Sequence, residues 1–308
     1  MKHAKASTSF RPPENWMQML EKIRLVRQKY PAPVDTMGCD QVGTSGAKDE
    51  IKRFEILVSL MLSSQTKDPI TWAAVQKLKE NNMCHVDGIL GAQEKDIENL
   101  IYPAGFYRRK AIYLKKVAAI LQEQYNSDIP NTIEGLCKLP GVGSKMAHLC
   151  MQEAWGINSG IGVDTHVHRI SARLGWVPAK NVKTPEQTRL ALESWLPREY
   201  WREINHLLVG FGQTICTPTR PKCNECANND LCPSSTTKAG KKSGDTLVEE
   251  AKKEKGVTVK VESTEVPAAA APTTTNKKVA KRPIKIEPGV KQELEPSARR
   301  RRPRLDNS

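Results

Sequence analysis

The stretch Leu139-Pro140-Gly141-Val142-Gly143-Ser144-Lys145 reads as a helix stop, a glycine turn and a helix restart. Proline cannot carry a helix through this point, and glycines take positive φ and let a backbone come close to whatever the turn faces. The free amides of such a turn, with the N-terminus of the next helix, form a phosphate site. The G-x4-G-K frame of a P-loop is missing. The same residues also suit a plain connection between two helices. The basic character of the chain tips the reading toward a helix-hairpin-helix, with Gly141 and Gly143 at the DNA.

Lys145 falls in the first turn of the restarted helix, where the helix dipole disfavours a cation. A poor place for a structural lysine is a good place for an amine nucleophile; a solvated lysine on a phosphate is the alternative. Asp164 follows in Gly162-Val163-Asp164-Thr165-His166-Val167-His168-Arg169. Aspartate is a favoured N-cap, and a carboxylate pinned at a helix start can also face a cleft, so the two roles are compatible. His166 and His168 lie two apart, which turns them to different faces of a helix, and both read as structural.

Four of the eight cysteines, Cys216, Cys223, Cys226 and Cys232, are spaced C-x6-C-x2-C-x5-C. Cys39, Cys84, Cys137 and Cys150 are scattered, which argues against a disulfide scaffold and for a reducing compartment with one metal site. Four thiolates hold either a tetrahedral zinc or a [4Fe–4S] cluster, and spacing leaves both open. Arg220 and Lys222, in the loop between Cys216 and Cys223, are placed to meet phosphate.

Around these motifs the chain of 308 residues carries a net charge of +14, which favours a polyanionic partner. No apolar run is long enough to cross a membrane, and the start of the chain lacks a secretory apolar core. Apolar residues recur at helical spacing over residues 14–30, 50–62, 69–79, 109–125, 132–137, 144–155, 163–174, 185–195 and 200–213. Asp68 before Pro69 reads as a cap with proline in the first turn. No stretch alternates like a strand, so the expected fold is all-α.

Residues 1–13 and 31–48 look loose. Residues 235–308 contain no aromatic residue and no cysteine, and hold 18 basic against 10 acidic residues. Such a segment cannot bury enough apolar surface to offset its ordering entropy, and it reads as disordered. Its clusters Lys277, Lys278, Lys281, Arg282 and Arg299, Arg300, Arg301, Arg302, Arg304 suit nuclear localisation or non-specific DNA affinity. Lys260, Lys285 and Lys291 each follow an apolar residue and precede a glutamate by two, a pattern similar to a SUMO acceptor. The N-terminus is a weak mitochondrial signal. The expected organisation is residues 1–13 disordered and 14–44 an N-terminal helix and linker on the second lobe. Then come 45–158 as a helical-bundle lobe with the hairpin, 159–233 as a second lobe with the cysteines, and 234–308 as a basic tail.

Residues 139–174, the earlier Leu62-Ser63-Ser64-Gln65-Thr66-Lys67-Asp68 and the four-cysteine array together resemble the endonuclease III family of DNA glycosylases with AP-lyase activity. The resemblance covers about residues 45–233 and is nearest to the eukaryotic members. It implies a two-lobed helix-hairpin-helix glycosylase, a [4Fe–4S] cluster rather than zinc, and a monomer acting on double-stranded DNA with oxidised pyrimidines or abasic sites. By the same resemblance Lys145 attacks C1′ and forms a Schiff base, and Asp164 stabilises the cationic sugar. Gln65 and Phe106 fill the gap left by the extruded nucleotide; core packing is the other use of Phe106. The expected location is the nucleus, with a mitochondrial form open. Adenine mismatch glycosylases share the hairpin, the aspartate and the cluster but lack the lysine. A non-catalytic hairpin protein with zinc is the other rival.

Overall fold

The computed structural model describes residues 10–237. Within them the regular structure is helical and no strand occurs. The helices are α1 (Trp16–Lys29), α2 (Pro33–Met37), α3 (Asp49–Ser63), α4 (Asp68–Glu80), α5 (Val86–Gly91) and α6 (Glu94–Ile101). They continue with α7 (Tyr107–Gln124), α8 (Ile133–Lys138), α9 (Ser144–Trp155), α10 (Thr165–Arg173), α11 (Pro185–Glu193) and α12 (Trp201–Thr214), and short 3₁₀ turns complete the set. The tail, with its basic clusters and Lys260, Lys285 and Lys291, lies outside the described residues.

The apolar side chains collect in two cores. One draws on Phe54, Leu57, Val75, Leu114, Leu121 and Ala147, with α3 packed on α9 and α7 laid against α5 and α6. The other draws on Leu20 and Ile23 of α1, Ile170 of α10 and Leu208 and Phe211 of α12. In it Trp176 is fully buried and meets Trp195 edge to face at 6.2 Å, while Trp16 meets the same ring at 5.4 Å. Each fully buried side chain of this size contributes roughly 1.5–3 kcal/mol, and edge-on ring pairs add to that.

Helix ends are closed by side chains from elsewhere. Lys115 of α7 donates from Nζ to the carbonyls of Ile89, Leu90 and Ala92 at 3.1, 2.8 and 2.7 Å. It thereby puts a cation on the negative end of α5. The two short helices α5 and α6, of six and eight residues, are absent from the helical stretches expected from spacing.

Two sequence expectations are corrected here. Residues 31–48 are not loose: they hold α2 and a 3₁₀ turn, Cys39–Gln41, with Ala32 and Val42 buried. The cause is a polar knot assembled from distant positions. Arg27 pairs with Asp35, whose carboxylate also accepts from the Ala32 amide at 2.7 Å and from His206 Nε2 at 2.9 Å. The Val34 amide donates to Gln213 Oε1 at 3.2 Å. Asp68, in turn, does not cap α4. It is the helix's first residue, Lys67 occupies the cap position without a side-chain bond, and Asp68 Oδ2 accepts from Gln213 Nε2 at 2.7 Å.

Burial works to raise the pKa of Asp35, but the Ala32 amide, His206 and Arg27 outweigh it and hold the carboxyl below its usual range. A lowered carboxylate stabilises the fold above the unfolded pKa of about 4 and loses that contribution as pH falls through the folded value. Asp35→Asn is therefore expected to cost about 1–3 kcal/mol at neutral pH. The difference from the parent should shrink on acidification; thermal melts at several pH values check both.

Candidate active site

The hairpin forms between α8 and α9 as expected, held down by Leu139 and Val142, both buried. Its two glycines are not equivalent. Gly141 has φ +84°, and a Cβ there would stand 2.6 Å from the Tyr113 ring. Gly143 has φ −108° and ψ 174°, with open space where a Cβ would go. Within the fold itself glycine is required at position 141 and not at position 143. Gly141→Ala is expected to cost about 2 kcal/mol or more and to weaken duplex binding. Gly143→Ala should cost about 1 kcal/mol at most, through a poorer N-cap. Thermal melts and fluorescence anisotropy on a labelled duplex compare the two.

Lys145 is the second residue of α9, and Asp164 is the N-cap of α10. Asp164 uses both oxygens: Oδ1 accepts from the Val167 amide at 2.8 Å, and Oδ2 lies 3.9 Å from Lys145 Nζ. The cap thus fixes the carboxylate and points its free oxygen at the amine. The Lys145 side chain is 36% exposed and that of Asp164 14%. Both line a cavity of about 590 Å³ with Ser63, Gln65, Asp68, His166, Asn205 and Gln213. Cys39 lines it too, its thiol raised well above the usual range by burial.

Gln65 borders this cavity and also a groove of about 240 Å³ shared with Phe106, Arg109, Lys110, Tyr113 and Gly141. Gln65 and Phe106 both have left-handed backbone, with φ of 50° and 55°. Phe106 is 61% exposed, so core packing does not account for it. Lys110 was missed by the sequence reading: it follows two arginines that face solvent, yet is itself buried.

The histidines part ways. His168 Nδ1 lies 2.6 Å from Thr188 Oγ1, a structural contact. His166 instead lines the cavity, where burial lowers its pKa, and its Nδ1 is 3.3 Å from Arg169 Nη2. Arg169 donates onward to the Cys216 carbonyl at 3.0 Å. Arg173, one turn along, donates to Cys216 Sγ at 3.3 Å and to the Thr217 and Pro218 carbonyls at 2.7 Å. Two arginines at i and i+4 just after the aspartate were the available signal.

Cys216, Cys223, Cys226 and Cys232 all line one pocket, backed by Leu174, Phe211 and Ile215. Burial pushes the Cys226 thiol up to about 12 and raises Cys232 as well. Among the described residues, no three His, Cys, Asp or Glu side chains are grouped as a single metal ion requires. Four sulfurs around zinc must each lie about 2.3 Å from the ion. The four thiols share one pocket, and the zinc alternative is unsupported. Arg220 and Lys222 are exposed on the loop beside it. No described helix is long and apolar enough to cross a membrane.

Residues 58–198 match the model of the HhH-GPD superfamily base excision DNA repair proteins. The chain is 54% identical over 221 residues to endonuclease III-like protein 1 of Gallus gallus, covering 72% of this chain and 78% of that one. It is 52% identical over 221 residues to the Mus musculus protein of the same name, covering 72% and 73%. Among solved structures it resembles a trapped endonuclease III–DNA covalent intermediate with an estranged adenine, at TM-score 0.60 and 27% identity over 71% of this chain and 96% of that one. A non-covalent endonuclease III–DNA complex gives TM-score 0.62 and 25% identity, over 73% and 97%. A glycine-turn hairpin, an amine facing a carboxylate and these relatives lead to one assignment: the chain belongs to the endonuclease III family of HhH-GPD base-excision DNA repair enzymes, which are DNA glycosylases.

Proposed function

We propose that this enzyme is bifunctional: it releases oxidised pyrimidines from duplex DNA and cuts the strand through a Schiff base on Lys145. The observation that carries the reading is Lys145 Nζ placed 3.9 Å from Asp164 Oδ2 on a shared cavity. The target nucleotide leaves the stack, and Gln65 and Phe106 fill the gap. The Lys145 nitrogen bonds to C1′ as the bond from C1′ to the base breaks, and the base departs with the electron pair. Asp164 stabilises the positive charge that develops on the sugar and takes part in moving the amine's proton. Ring opening gives the Schiff base. Loss of a proton from C2′ then breaks the C3′–O bond, a β-elimination that cleaves the strand 3′ to the lesion. The covalent adduct named for a structural neighbour supports a nucleophile of this kind.

Gly141, Gly143 and the hairpin amides hold the backbone phosphate, with Arg220 and Lys222 as further phosphate contacts. The four cysteines would hold a [4Fe–4S] cluster. When bound, that group supplies an anchor for the loop carrying Arg220 and Lys222. Two apolar cores support a division into a helical-bundle lobe and a cysteine-bearing lobe, with Val42 of the 14–44 segment joining the first core. A monomer in the nucleus, with a mitochondrial form beside it, is the setting that fits a repair enzyme.

The test uses oligonucleotides carrying thymine glycol, an abasic site, or adenine opposite 8-oxoguanine, each with borohydride present. Thymine glycol release, nicking of the abasic strand and a trapped protein–DNA adduct are expected. Adenine release without nicking would move the assignment to the mismatch-adenine branch, and no base release at all would leave only a DNA-binding protein.

A further inference from the structure

The loops that carry Gln65 and Phe106 meet at one point. The Gly105 amide donates to Thr66 Oγ1 at 3.0 Å, and a Cβ on Gly105 would stand only 2.4 Å from the Gln65 carbonyl oxygen. The backbones therefore touch, and neither loop shifts without the other. Beneath this contact lies Lys110 of α7, 5% exposed. Its Nζ donates to the Leu62 carbonyl at 2.7 Å, the Ser64 carbonyl at 2.6 Å and Thr66 Oγ1 at 2.9 Å.

Leu62 and Ser64 stand at the C-terminal end of α3, where the helix dipole favours a cation. The chain leaves that helix through Gln65, whose left-handed backbone no glycine relieves. Burial lowers the Lys110 pKa to about 8, which marks the cost of a charge where an apolar side chain of similar length would pack. The three oxygens use all three donors of an ammonium and offset that cost.

We infer that Lys110 is the positioning residue that holds Gln65 and Phe106 in their duplex-entering conformations, clamping the 63–66 loop directly and the loop of Gly105 and Phe106 through Thr66. The inference rests on the reading of Gln65 and Phe106 as the residues that fill the gap. Lys110 itself touches no reacting atom. Its loss frees two loops that must be rigid to compete with base stacking, so the penalty falls on engagement of duplex DNA and not on the chemistry at Lys145.

Two substrates separate the proposal from a general loss of structure. Base excision from a duplex needs the gap filled. Strand cleavage at an abasic site in a single strand does not, because no partner base stands opposite. Lys110→Met, which keeps the length and removes the donors, should raise KM for duplex excision about tenfold. It should leave the single-strand cleavage rate within about twofold. Thr66→Val, which removes only the shared hydroxyl, should do the same more weakly. Combined with Gln65→Ala, Lys110→Met should add little, because both act on one loop.

The proposal is overturned if Lys110→Met matches the parent on duplex DNA while Gln65→Ala and Phe106→Ala are impaired; the gap-filling reading then survives alone. Should Gln65→Ala and Phe106→Ala both match the parent, that reading fails and the inference with it. A single-strand rate that falls together with the duplex rate, or effects of Lys110→Met and Gln65→Ala that multiply in full, points to general destabilisation and also overturns it. If Lys110→Met does not fold, Thr66→Val decides: an unchanged duplex KM sinks the proposal.

Discussion

Lys145→Gln is expected to abolish the borohydride-trapped adduct with abasic DNA and to slow strand cleavage about a thousandfold or more. Glutamine keeps most of the side chain's reach, so the cavity is little altered, but its amide nitrogen is not a nucleophile. Binding to the intact duplex should change far less, since one cation is removed from a chain with a net charge of +14. Lys145 is partly exposed and contributes no core packing, so the thermal midpoint should stay close to the parent value. A denaturing gel of the trapped adduct, run beside an anisotropy titration, reads both quantities. An adduct as abundant as the parent's would remove Lys145 from the mechanism.

Asp164→Asn separates two jobs that the aspartate performs with different oxygens. Asparagine is as good an N-cap as aspartate, and its carbonyl can still accept from the Val167 amide. The helix start should hold, with a stability change within about 1 kcal/mol. What disappears is the negative charge opposite Lys145 Nζ and beside the developing cationic sugar. Base release in single-turnover assays is expected to fall about a hundredfold to a thousandfold, while duplex affinity is retained. If release is unchanged and only the melting temperature drops, Asp164 is a cap and nothing more.

The motifs legible in the chain were those whose physics is local. A helix stop, a glycine turn and a restart are written within seven residues, and Asp164 announces a helix start by its own side chain. Long amphipathic helices were legible for the same reason, since an apolar stripe repeats over several turns. The failures are non-local. Residues 31–48 look like linker by composition, yet Asp35 finds Arg27 and His206 and anchors α2 among them. Gly141 and Gly143 read alike, and the positive φ of Gly141 together with the ring of Tyr113 tells them apart.

Arg108, Arg109 and Lys110 are consecutive basic residues, yet the turn of α7 leaves the arginines exposed and sends the lysine under two loops. His166 and His168 shared one assignment until packing put the first on the cavity and the second against Thr188. Composition, helical period and turn chemistry were enough for an all-helical chain suited to a polyanion, with an amine, a carboxylate and four thiols as candidates, and the resemblance to the endonuclease III family supplied their roles. Which atoms face one another across the cavity, and which buried cation holds the duplex-entering loops, depended on side chains brought together from distant parts of the chain. Contacts of that kind leave no periodic or short-range trace for a reader of the residues to find.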